Sequence, residues 1–212
     1  MRTYYNRIAG QSLERLAALS DGIFAVAMTL LVLDLRVPVI TMSNRLIQEQ
    51  DLWNALVKLG PNILPYLMSF LTLGIFWVGQ QTQLNYFSKS DRHLTWINLA
   101  FLLAVTLMPF STGLLAAYIT LRLALVVYWL NIALLGIIIF FIWRYARRAG
   151  LLKDEVTAEI FAASQRRIII AQSLYAFGAL LCIINTYVSI CFIMLVQLNY
   201  AIAPRFWRLD QL

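Results

Sequence analysis

The stretch Arg15-Leu16-Ala17-Ala18-Leu19-Ser20-Asp21-Gly22-Ile23-Phe24 places an arginine, a serine and an aspartate at the mouth of an apolar run over residues 23–33. With its flanks the run is long enough to cross a bilayer, which takes about 20 residues of helix. An ionisable group at the centre of a membrane helix costs roughly 2.5–3.5 kcal/mol, and less near the interface. Such groups persist where they face protein or water instead of lipid. Arg15, Ser20 and Asp21 are therefore candidates for a contact between helices. Helix capping with flanking positive charge is the plainer reading of the same three residues.

The rest of the chain has the composition of a membrane protein. Of its 212 residues 61 % are apolar and 13 % charged, and the mean hydropathy is +0.75. Long apolar blocks separated by short charged segments are the signature of helices that satisfy all their backbone groups internally. The length leaves room for about six spans and no soluble domain. The net charge of +7 sits beside the apolar blocks, as the positive-inside rule expects, and not in a basic stripe suited to nucleic acid. Cys182 and Cys191 lie within apolar blocks, without metal-ligand spacing, and read as small packing residues. The first apolar block starts late, is too long for a signal core and lacks a small-residue cleavage site after it, so no cleaved signal is expected. The sequence has no His-Glu-x-x-His, Ser-x-x-Lys or Gly-x-Ser-x-Gly motif and one histidine, His93, so no enzyme, cofactor or resident metal is expected.

The hydrophobic pattern predicts an all-α integral membrane protein, one domain over residues 1–212. Its spans are expected at about 18–35, 62–83, 94–117, 121–143, 167–184 and 187–203. The stretch 43–58 reads as an amphipathic helix at an interface. Pro109 predicts a kink in the third span, and the run from Trp143 to Arg148 reads as an aromatic-plus-basic belt. With both termini on one side, that side carries thirteen basic residues: Arg2, Arg7, Arg15, Lys89, Arg92, Arg144, Arg147, Arg148, Lys153, Arg166, Arg167, Arg205 and Arg208. The other side carries four: Arg36, Arg45, Lys58 and Arg122. That asymmetry predicts cytoplasmic termini in a multi-pass protein of the inner (plasma) membrane, with membrane lipid around it.

This orientation brings polar residues of three spans to a similar depth. Ser20 and Asp21 open span 1, Trp77, Gln80 and Gln81 close span 2, and Asn98 opens span 3. Their shared depth predicts a polar network that includes Arg15. For Trp77, a belt aromatic is an equally good reading.

These residues also carry a family resemblance. The pattern R-x-x-x-[F/L]-S-D, here Arg15, Leu19, Ser20 and Asp21, resembles the signature of the transmembrane protein 175 family of potassium channels. Phe76-Trp77-Val78-Gly79-Gln80-Gln81 is similar to that family's F-W-x-x-H-H, and the run from Asn98 to Leu103 and on to Pro109-Phe110-Ser111-Thr112 is similar to its N-L-x-F-L-L to P-F-x-T. Leu19 stands where the family usually has phenylalanine. Gln80 and Gln81 stand in place of histidines; they keep hydrogen-bonding capacity but do not titrate. The resemblance implies a cyclic homotetramer of six-span subunits whose first helices line a central pore.

At 100° per residue, Val26, Thr29, Leu30 and Leu33 share one face of span 1, extended by Gly22 and Ile23. Apolar residues at this spacing are ordinary in any packed membrane helix. The resemblance implies that Val26, Leu30 and Leu33 form constricting rings, with Thr29 as a nearby hydroxyl. No Thr-Val-Gly-Tyr-Gly filter occurs, so a hydrophobic constriction would set the barrier to permeant potassium and other monovalent cations. A secondary transporter or proton-coupled carrier is the alternative; it would call for mid-membrane ionisable residues and inverted repeats, whereas Asp21 and Asp34 lie near the ends of span 1.

Overall fold

The computed structural model describes residues 12–38 and 49–202. Residues 1–11, the first part of the stretch 43–58 and the end of the sixth expected span with the residues after it lie outside these residues. Everything described is helical, apart from turns and one isolated bridge.

Ser12 opens the first helix, its Oγ accepting from the Arg15 backbone N–H at 3.2 Å and so satisfying one of the unpaired donors of a helix start. Helix α1 runs Leu13–Leu31 and tightens into a 3₁₀ turn, Val32–Asp34. Helix α2 runs Glu49–Asn85 without interruption, carrying Pro61 and Pro65 inside it. The interfacial helix expected within 43–58 and the span expected at 62–83 are thus, from Glu49 onward, a single rod. Membrane helices tolerate internal proline because neighbouring groups re-satisfy the freed backbone. Residues on its first turns, including Trp53 and Val57, remain exposed, and burial begins at Pro65.

Helices α3, Arg92–Thr106, and α4, Met108–Ala117, form one bent rod. The break falls at Leu107, two residues before Pro109. Asn131, on the next helix, explains how the break is tolerated in an apolar core. Turned to satisfy both ends, its amide nitrogen donates to the Ala104 carbonyl at 3.0 Å, and its oxygen accepts from Met108 N at 3.2 Å and Ser111 Oγ at 3.1 Å. The two backbone groups that an unbroken helix would pair with each other are therefore paired with one buried side chain.

Helix α5, Arg122–Arg148, ends in a Schellman cap. Leu151 N bonds Ala146 O at 2.9 Å and Gly150 N bonds Arg147 O at 3.3 Å, with Gly150 at φ 64°, where a side chain would be strained. Helix α6, Ala158–Leu180, is N-capped by Thr157 and passes through the 3₁₀ turn Leu181–Ile183 into α7, Thr186–Ile202. Gly136 lets α6 approach α5: a Cβ there would lie 2.0 Å from Gln172 Nε2. Cys182 is buried and Cys191 exposed, both as free thiols.

At the basic end the α2–α3 and α5–α6 connections are tied together. Ser88 N bonds Leu151 O at 2.8 Å and Lys153 N bonds Tyr86 O at 2.9 Å. Trp143, expected in an interfacial belt, is instead fully buried in this tie. Its ring stacks on Phe161 at 5.5 Å and on Phe87 at 6.0 Å, and Arg147 lies over Phe161 at 4.2 Å.

Among the described residues four rods are long and apolar enough to cross a membrane: Glu49–Asn85, Arg92–Ala117, Arg122–Arg148 and Ala158–Ile183. The chain is a multi-pass, all-α membrane protein. α1 falls outside that set because its 19 residues include Glu14, Arg15 and Asp21, and α7 because its 17 residues are short for a span.

Replacing Asn131 with leucine should leave Ala104 O and Met108 N buried without partners, at a cost of about 1–3 kcal/mol. The expected outcome is a Tm in detergent micelles lower by about 2–10 °C; an unchanged Tm would show that the break needs no side-chain support.

Candidate functional site

The register of α1 against α2 is set by two adjacent residues on each. Ser20 and Asp21 are 100° apart on their helix, as are Gln80 and Gln81, so the four residues form two layers and not one cluster. In the buried layer Gln80 Nε2 donates to Ser20 Oγ at 3.1 Å and to Asn98 Oδ1 at 2.7 Å, and Asn98 Nδ2 reaches Ser20 Oγ at 3.4 Å. Ser20 gives its own proton to Leu16 O at 2.8 Å, which leaves its oxygen as the acceptor the two amides need. In the exposed layer Asp21 Oδ1 accepts from Trp77 Nε1 at 2.8 Å and from Gln81 Nε2 at 2.5 Å. Trp77 and Gln81 are four apart and share a helix face.

One turn further into the bundle, the same three helices present an aromatic layer. Phe24 lies four residues after Ser20, Phe76 four before Gln80, and Phe101 three after Asn98. Their rings meet at 6.1 Å between Phe24 and Phe101 and 6.3 Å between Phe76 and Phe101. The apolar plug closes the polar layer off on its inward side.

Ser20, Asp21, Trp77, Gln80, Gln81 and Asn98 are thus brought together. Arg15 is placed differently: its backbone N–H caps the helix through Ser12, and among the described residues its exposed side chain joins none of the six.

The other face of α1 is largely open among the described residues. Leu16, Ser20, Phe24, Ala27 and Leu31 are buried. Offset by two residues, about 200° around the helix, Gly22, Val26, Thr29 and Leu33 are exposed, with Val26 at 58 % and Leu33 at 67 %. Leu30 is exposed at 43 % and Ile23 is half-buried. Leu33 lies in the 3₁₀ turn, where each residue turns about 120°, so it sits off the straight line that α-helical spacing gives. Thr29 donates its proton to Val26 O at 2.8 Å, so its hydroxyl oxygen faces outward as an acceptor.

A second polar cluster escapes reading along the sequence. About three turns along α2 from Gln80, or roughly 16 Å, Thr112 donates to Ser69 at 2.7 Å, and Thr72 and Tyr128 meet at 3.1 Å. Gln197 Nε2 donates to Thr72 at 2.6 Å. All five residues are buried, and they join α2, α4, α5 and α7. The available signal was single polar residues in otherwise apolar helices, which in membranes face protein. That signal gives no pairing.

A hydrogen bond between membrane helices is worth about 0.6 kcal/mol on average and up to about 1.7. Asn98→Leu removes two bonds in the dry layer, whereas Gln81→Ala removes one in the exposed layer. The expected result is a larger fall in Tm for Asn98→Leu; the reverse order in thermal unfolding would place the main tie in the exposed layer.

Comparison with known proteins places this geometry in a lineage. The sequence model of the family described as endosomal/lysosomal potassium channel TMEM175 matches residues 15–109, which hold every member of the first polar network. A potassium channel of Streptomyces collinus is 35 % identical over 144 residues, 66 % of this chain and 67 % of its own. A potassium channel of Chamaesiphon minutus is 29 % identical over 188 residues, 86 % of this chain and 91 % of that one. The crystal structure of a lysosomal potassium-selective channel TMEM175 homolog from Chamaesiphon minutus matches the fold with a TM-score of 0.74 at 26 % identity, covering 91 % of this chain and 98 % of the other. By the extent and identity of these matches, the chain belongs to the TMEM175 family.

Proposed function

We propose that this protein is a passive potassium channel in which α1 lines the pore of a cyclic homotetramer. The observation that carries the reading is the division of α1 into two faces. One face is held to α2 and α3 by the Ser20 and Asp21 hydrogen bonds and the Phe24 contact. The opposite face, Gly22, Val26, Thr29, Leu30 and Leu33, is exposed on the isolated chain. The names of the bacterial relatives support potassium as the permeant ion.

One subunit supplies one lining helix, so a closed ring of copies is needed to surround a path. Rings of Val26, Leu30 and Leu33 would form a narrow apolar neck, with Ile23 and Gly22 toward the basic end. An ion enters such a neck only by shedding water, and the barrier is set by dewetting. Potassium holds its hydration shell less tightly than sodium and crosses at lower cost. Thr29 oxygen, its proton already given to Val26 O, offers partial replacement for lost water. Valine at the first ring is small and leaves a wider opening there. Six spans in one domain, 18–35, 62–83, 94–117, 121–143, 167–184 and 187–203, place both termini in the cytoplasm on the side richer in Lys and Arg. No resident metal or cofactor is required.

Reconstituted in liposomes, the protein should give unitary currents that reverse near the potassium equilibrium potential, and light scattering in detergent should count four subunits. Val26→Ala should raise conductance and Thr29→Val lower the potassium-to-sodium ratio, each by about twofold or more. If neither changes, the stripe faces lipid; a strict monomer likewise ends the channel reading.

A further inference from the structure

We infer that the cleft between α2 and α6 is a binding site for a phospholipid with a donor-bearing headgroup, phosphatidylethanolamine, its phosphodiester held at Arg167 and an acyl chain running inward along Gly74. The inference goes beyond conduction: it needs the helices to lie in a bilayer and does not depend on which face lines a pore.

The cleft has a volume of about 730 Å³, in the range of about 300–1,000 Å³ usual for small-molecule sites. Its α6 wall is one helix face, Ser164, Arg167, Ala171 and Tyr175, at spacings of three and four residues. That face runs from an exposed guanidinium at the mouth to an apolar depth formed with Phe70, Gly74 and Met28. A Cβ placed on Gly74 would meet only Met28 Cε at 4.0 Å, so the wall opposite α6 is open and without side chains at that point.

Chemistry at the mouth selects the headgroup. Arg167 has Tyr200 nearby, its ring centroid 5.9 Å away, and among the described residues no carboxylate pairs with it. A guanidinium at the level of the headgroups is a phosphodiester site. Two residues that line the same cleft each carry a buried polar atom with no hydrogen-bond partner among the described residues: Tyr175, 2 % exposed, its OH, and Gln83, 6 % exposed, its Oε1. Buried orphans of this kind carry the full desolvation penalty. Tyr175 lies two turns beyond Arg167 on the same helix face, and its unpartnered hydroxyl is a donor for which the ester oxygens of a lipid are acceptors. Gln83 Oε1 accepts only, and therefore requires a donor; the ammonium of the headgroup supplies one. Asp21 also lines the mouth, which favours a zwitterionic headgroup over a purely anionic one.

Thermal unfolding of the full-length protein in detergent, with added dioleoylphosphatidylethanolamine, tests the assignment. At saturating lipid Tm should rise by about 5 °C or more, with a smaller rise for dioleoylphosphatidylcholine, which lacks N–H donors, and the smallest for dioleoylglycerol, which lacks phosphate. Arg167→Gln should remove the advantage over dioleoylglycerol, Ala171→Phe, which fills the cleft, should abolish all three responses, and Arg148→Gln, an exposed arginine outside the cleft, should leave them intact. Equal responses to the three lipids, or an Arg167→Gln protein that still favours phosphatidylethanolamine, overturn the assignment. So does a structure with residues 203–212 or a second copy of the chain seated in the cleft. A protein that conducts potassium but shows no lipid preference fails here while the channel reading stands.

Discussion

Helices in a bilayer gain little from burying apolar side chains against each other, because lipid is as apolar as leucine. What fixes one helix against another is the need of each polar group to find a partner, and in this protein that need is concentrated in Ser20 and Asp21. The serine is fully buried and the aspartate exposed, and each meets one member of the Gln80–Gln81 pair. Sliding α1 by one residue would carry the aspartate into the dry layer between Gln80 and Asn98. An ionised carboxylate in that position, with amides as its only company, costs far more than the hydrogen bonds return. The two-residue step thus admits one register, and the aromatic layer of Phe24, Phe76 and Phe101 follows from it one turn away.

Helix α2 is the member to which α1, α3, α4, α5 and α7 are all tied. It carries Gln80 and Gln81 for α1 and α3, and Ser69 and Thr72 for α4, α5 and α7. Asn131 performs a related service on α5, holding the backbone of α3 and α4 where the helix ladder is interrupted. These polar contacts specify neighbours; the surrounding apolar packing fills the space between them. Among the described residues α1 is held through its Ser20–Phe24 side, and the opposite side is exposed. The proposed symmetric copy on one face and the proposed lipid in the α2–α6 cleft would be separate uses of surface that the described residues leave uncovered.

The sequence by itself determined the class: long apolar blocks exclude a soluble core, and isolated polar residues at matched depth in three spans announce a network. The motif residues Ser20, Asp21, Trp77, Gln80, Gln81 and Asn98 were legible as a set for that reason, since depth follows from position along a span. Which residues pair was not legible, because pairing depends on helix rotation. Arg15 was expected in the same set and stays outside it: its backbone N–H bonds Ser12 Oγ, and among the described residues its exposed side chain joins none of the six. The Ser69–Thr72–Thr112–Tyr128–Gln197 cluster draws on four helices whose mutual order no local pattern encodes. Tertiary structure alone decided that Trp143 is buried under Phe161, that α2 continues through two prolines, and that Asn131 seals the Leu107 break. For Trp143 and for the Leu107 break the deciding energy comes from groups distant in sequence, which give a ring or a backbone the partner it would otherwise lack.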